Sequence, residues 1–144
     1  MKLNGSHKFK ASGQQVYNAI LNPSVLKSCI PGCESIEYAD PDRLNALITT
    51  PLPGLRGPFA AVIQIAQRQE PNHLVLEVHR KGAGGSIDAS SNIDIADEPG
   101  GAVLTYDGAA DLGGPIAIAN NPIGRGITNN ALKNFFDNLD KSIV

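Results

Sequence analysis

The 144-residue chain has no tryptophan, one methionine and 5% aromatic residues, so it holds little bulky side-chain volume with which to fill an interior. It lacks an excess of either charge. Twelve basic against 14 acidic residues give a formal charge of -2, which excludes nucleic-acid binding by bulk electrostatics, and no nucleic-acid partner is expected. No run approaches the roughly 18 apolar residues of a membrane-spanning helix. Met1 to Phe9 has no apolar signal core, so the expected compartment is the cytoplasm. Cysteine is scarce: Cys29 and Cys33 lie four positions apart, not at redox CxxC spacing, with no histidine nearby to complete a metal set. Both are expected as reduced thiols, and no metal or cofactor is expected. Catalytic signatures are missing too. There is no G-x-S-x-G elbow, no histidine pair at metal spacing and no inward carboxylate pair, and the Gly82 to Gly85 link leads into a strand, a poor phosphate cradle. No catalytic residue is therefore assigned.

What the chain does have is one amphipathic helix at its end. Between Pro122 and Val144, Ala131, Leu132, Phe135, Phe136, Leu139 and Ile143 fall on one arc of a helical wheel, Gly124 and Thr128 extend it, and Ile123 and Ile127 slip to its edge. The buried face starts small and ends bulky. Upstream, Leu3, Gly5, His7 and Phe9 alternate with polar residues as a half-buried strand does. Ser12 and Gln15 form a capping box for a short helix that stops at Asn22-Pro23, and Pro23 opens a second ending at Pro31-Gly32. From Glu34 onward six alternating stretches read as a strand meander, placing His73 and His79 on the outer face. The predicted architecture is α+β: a curved antiparallel sheet of about seven strands gripping the long C-terminal helix, with two short helices after the first strand, in a single domain over 1–144.

Small residues dominate the inward set. Gly5, Ala46, Ala61, Ala89, Ser91, Ala102, Gly108 and Ala110 face Gly124 and Thr128 of the helix. Such a surface leaves a cavity for a ligand, or else lets the sheet bend close to the helix. Few polar groups point inward: His7, Tyr38, Ser91, Tyr106 and Thr128, of which His7 reads equally as a core histidine. The segment Thr50 to Pro58 presents Leu52, Leu55 and Arg56 in a stiff Pro/Gly frame, as a lid or membrane-touching tip, or with its leucines folded back on the core.

Phe9-Lys-Ala-Ser, Val16 to Leu21, Asn22-Pro23, Cys29-Ile-Pro-Gly-Cys33, Leu55-Arg-Gly-Pro-Phe59, the 82–85 link and Asn134-Phe-Phe-Asp-Asn-Leu139 together resemble the CoxG-like family of carbon monoxide dehydrogenase subunits, within the START/birch-allergen-like polyketide cyclase (SRPBCC) superfamily. The resemblance spans nearly the whole chain. It implies a helix-grip fold with a hydrophobic cavity and a role beside a molybdenum-hydroxylase-type dehydrogenase, in quinone handling or peripheral membrane attachment. The reading that follows is a non-catalytic protein that binds a quinone or isoprenoid lipid under the C-terminal helix. Its candidate ligand contacts are His7, Tyr38, Ala61, Ile63, Leu76, Ala89, Ser91, Tyr106, Gly108, Gly124, Thr128, Leu132 and Phe135. Two alternatives stand beside it: a small cyclase or hydratase in which His7 and Tyr106 polarise a carbonyl across the cavity, and a protein-interaction component with a filled core. Sheet edges offer a route to a homodimer.

Overall fold

Strict alternation of apolar and polar side chains over most of the chain produces one wide antiparallel sheet. The computed structural model describes residues 2–30, 32–49, 58–82, 85–114, 117 and 122–143, without the side chains of 122–124. The order is β1 (Lys2–Phe9), α1 (Gly13–Ile20), α2 (Pro23–Cys29), β2 (Cys33–Asp40), β3 (Arg43–Ile48), β4 (Phe59–Gln69), β5 (His73–Arg80), β6 (Ser86–Glu98), β7 (Gly101–Gly113) and α3 (Pro122–Ile143). The strands run β1-β7-β6-β5-β4-β3-β2, every pair antiparallel. This is the expected seven-stranded helix-grip arrangement. Pro122 does not kink α3 but opens it, where its missing N–H leaves no intrahelical bond unmade.

The short helices are fixed by local chemistry. Ser12 and Gln15 form the reciprocal capping box, and the Gly13 N–H donates to Asp97 Oδ1 at 2.7 Å, tying the start of α1 to the end of β6. Asn22 caps α2 through Oδ1, which accepts from the Ser24 N–H at 3.0 Å. Behind α1 and α2 lies the packed core: Val16, Leu26, Cys29, Leu44, Leu74, Ile95 and Leu104 are buried, joined by Phe136 and Leu139 from the C-terminal half of α3. That half is fastened to α2. Asn138 Nδ2 donates to the Cys29 carbonyl at 3.3 Å, and Cys29 Sγ lies 3.4 Å from Ser142 Oγ. Both cysteines are free thiols; burial pushes the Cys33 thiol up, with Lys27 opposing it.

The outer face of the sheet carries the expected histidines. His73 Nδ1 lies 2.8 Å from Asp94 Oδ1, and His79 bridges strands, with Nδ1 3.0 Å from Asp88 Oδ1 and Nε2 3.0 Å from Glu77 Oε1. Hydrogen bonds to Asp88 and then Glu77 raise the His79 pKa above its usual value. A raised histidine pKa favours the folded state below the unfolded pKa of about 6.5, and that contribution disappears as pH rises through the folded value. Its size is small, because 44% of the side chain is exposed. Thermal melts between pH 5 and 9 should show a decline above about pH 6.5. The same series on His79→Gln should lack that component; an identical pH profile in both proteins would refute the bridge.

Candidate functional site

The two halves of α3 differ in what they meet. Phe136 is 7% exposed and Leu139 0%, whereas Ile127, Thr128, Ala131 and Leu132 are only half-buried. Beneath that upper half lies a cavity of about 660 Å³, within the range of pockets that hold small molecules. Its sheet wall comprises Leu3 of β1, Leu44 and Ile48 of β3, Phe59 and Ile63 of β4, Leu76 and Val78 of β5, Ala89, Ser91 and Ile93 of β6, and Tyr106 and Gly108 of β7. One end is closed by Ile20, Leu21, Leu26 and Ile30 from α1, α2 and their caps. The roof is α3, through Ile127, Thr128, Asn130, Ala131, Leu132, Asn134, Phe135 and Phe136.

The void persists where the wall is small and stops where aromatics meet. The Phe136 ring lies 5.3 Å from Tyr106, 5.7 Å from His7, 5.2 Å from Phe135 and 6.4 Å from Phe9, between ring centroids. Tyr106 reaches this cluster because its β1 partner is Gly5: a Cβ there would stand 2.7 Å from the Tyr106 hydroxyl oxygen. Ala89 and Gly108 leave the middle of the wall open. Gly108 is required there by the backbone, since a Cβ would lie 2.5 Å from the Ser90 carbonyl oxygen and 2.9 Å from Ser91 Cβ. Ser90 and Ala109 join the lining beside it. At the Phe59 end, the Arg80 guanidinium covers the Phe59 ring at 5.5 Å and donates to the carbonyls of Gly82, at 3.3 Å, and Gly85.

Among the candidate contacts, Ile63, Leu76, Ala89, Ser91, Tyr106, Gly108, Thr128, Leu132 and Phe135 all line this cavity. Three candidates sit elsewhere. His7 stacks on Phe136 and packs on Phe9 at 4.8 Å. Ala61 is 4% exposed and pairs with Ala46 across β3 and β4. Tyr38 lies on the edge strand β2 beside a register shift, is 38% exposed, and donates its hydroxyl to the Leu21 carbonyl at 2.6 Å. Leu52, Leu55, Arg56 and the burial of Gly124 lie outside the described residues. The residues missed come from two places. The cap positions Leu21 and Ile30 belong to short helices whose packing a sequence does not reveal, and Asn130 and Asn134 sit on what the wheel makes the polar side of α3.

Chemically, the described lining residues are neutral, and most are aliphatic. Ser91 Oγ donates to the Asn92 carbonyl at 3.4 Å, and His7 and Tyr106 each stack on Phe136. Among the described residues no group of three histidine, cysteine, aspartate or glutamate side chains is placed to hold a metal ion. The arrangement accommodates and shields an apolar molecule.

The sequence profile of the CoxG family of carbon monoxide dehydrogenase subunits matches residues 5–144. No curated protein matches the chain. Among solved structures, a conserved protein from Geobacillus kaustophilus is 28% identical and superposes with a TM-score of 0.90, over 99% of this chain and 95% of that one. A START superfamily protein from Mycobacterium smegmatis is 11% identical, with a TM-score of 0.72 over 99% and 96%. A protein from Chromobacterium violaceum is 15% identical, with a TM-score of 0.75 over 99% and 96%. The last two likenesses establish the fold alone. A family match over nearly the whole length, on a START-like helix-grip fold, means that this chain belongs to the CoxG family of carbon monoxide dehydrogenase subunits.

Proposed function

We propose that this protein takes up an apolar small molecule and holds it under α3 without turning it over, as an accessory to a carbon monoxide dehydrogenase or related molybdenum hydroxylase. The single observation that carries the reading is the 660 Å³ cavity with its aliphatic wall. Apolar surface transferred from water to such a wall gains about 25 cal/mol per Å², while the described lining offers no charge to bind an ion. Family membership and fold support a hydrophobic-ligand-binding accessory protein. A quinone or isoprenoid lipid is the ligand proposed for a dehydrogenase partner, because such a molecule is apolar and serves electron transfer. Among the described residues no helix is long and apolar enough to cross a membrane, so contact with a lipid surface is proposed as peripheral.

Native mass spectrometry of freshly purified protein, with solvent extraction of its cargo, tests this. The expected result is a bound apolar molecule of defined mass, or uptake of one equivalent of a quinone by stripped protein. A clean apo mass that stays unchanged after incubation with quinones and lipids overturns the proposal and leaves the protein-interaction role.

A further inference from the structure

Asn130, Asn134 and Asn138 recur at four-residue spacing, so their carboxamides form a ladder up one side of α3. The lowest rung is closed. Asn138 Nδ2 donates to the Cys29 carbonyl at 3.3 Å, which places this side of α3 against the end of α2. The upper rungs differ. Asn130 and Asn134 are exposed to solvent and also line the cavity, as does Ile30, the residue that follows α2. The cavity therefore reaches water on the α2 side of α3, one turn above the Asn138 contact.

A ligand buried in an aliphatic cavity leaves a polar end where that end can stay hydrated or hydrogen-bonded. The other polar lining groups are placed less well. Ser91 Oγ already donates to a backbone carbonyl, and the Tyr106 hydroxyl is packed over Gly5. A carboxamide both donates and accepts and carries no charge.

We propose that Asn130 and Asn134 form the polar subsite of the cavity and take a neutral carbonyl or hydroxyl oxygen of the ligand, whose apolar body then runs under α3 toward Ala89 and Gly108. This rests on the reading of the cavity as a ligand site. It adds a direction of entry and a ligand class: a long apolar molecule with one uncharged oxygen function at its outer end.

The test compares dodecan-2-one, dodecane and dodecanoate as displacers of an apolar fluorescent dye, on the full chain and on the double substitution Asn130→Leu with Asn134→Leu. Leucine is a good helix former at these exposed positions. The expected result is that the wild type prefers the ketone to the alkane and to the carboxylate, and that the double variant lowers the ketone-to-alkane preference about tenfold with alkane binding unchanged. In parallel, the side-chain amide NMR signals of Asn130 and Asn134 should move with the ketone and not with dodecane. An unchanged preference in the variant, or amide signals that the ketone leaves in place, overturns the proposal. Dodecanoate binding as tightly as the ketone overturns the neutral class. Failure of the wild type to bind any of the three, or the dye, instead defeats the underlying reading of the cavity and this proposal with it.

Discussion

Replacing Ala89 with tryptophan is expected to weaken ligand uptake by about a hundredfold without loss of the fold. Ala89 sits in the middle of β6, paired with Val78 and Ala110, and its side chain opens onto the cavity. An indole there projects into empty space, so the usual cost of overpacking, about 1–3 kcal/mol, is largely avoided, and aromatic residues suit strands. The ligand loses the room instead. Displacing three or four methylenes, at about 0.8 kcal/mol each, costs about 3 kcal/mol, or roughly two orders of magnitude in Kd. Thr128→Trp on the opposing roof should act in the same direction, and Ala60→Trp on the outer face should do nothing. Gly108 is the wrong place for this experiment, because any Cβ there strikes the Ser90 carbonyl and moves β6. Uptake is measured by native mass spectrometry alongside thermal melts. Undiminished uptake in a folded Ala89→Trp protein would remove the cavity from the binding function.

The same residues show how far the sequence can be read. Alternation in β4 to β7 turned Ile63, Leu76, Ala89, Ser91 and Tyr106 to one face, and the smallness of Ala89 and Gly108 signalled a void, because both follow from period-2 geometry and side-chain volume alone. Tyr38 breaks the pattern because β2 is an edge strand with register shifts on either side of its middle, and an edge residue is free to turn outward. His7 keeps its inward direction, but whether it meets ligand or Phe136 depends on the depth at which α3 lies, which no strand pattern encodes. Asn130 and Asn134 were hidden for a related reason. A wheel assigns the apolar arc as the buried face, yet a roof helix over a void lines it with more than that arc, and the excess is polar where the void meets water. Leu21 and Ile30 needed the packing of α1 and α2 against the sheet, a long-range property.

Truncating Phe136 to alanine is expected to cost about 3–5 kcal/mol of folding stability, against less than about 1.5 kcal/mol for Ile127→Val one cavity length away. Phe136 holds α3 to the sheet, through ring contacts with His7, Phe9 and Tyr106, and it belongs to the buried core with Leu139. Such aromatic pairs contribute about 0.5–1.5 kcal/mol each beyond the area they bury. Removing the ring also extends the cavity into the core, so the surroundings have no filled side from which to collapse, and the loss should fall at the upper end of the range. Ile127 is half-buried over space that is already empty, so removing one methyl there forfeits few contacts. Equilibrium urea denaturation distinguishes the two, but only on protein stripped of cargo. A ligand present at a hundred times its Kd adds about 2.7 kcal/mol to the folded state, enough to conceal most of the difference between anchored and unanchored halves of α3. A Phe136→Ala cost below about 1 kcal/mol in stripped protein would mean that α3 is held by its Leu139, Asn138 and Ser142 contacts alone. The roof could then swing about α2, and ligand entry would no longer depend on the opening beside Asn130 and Asn134.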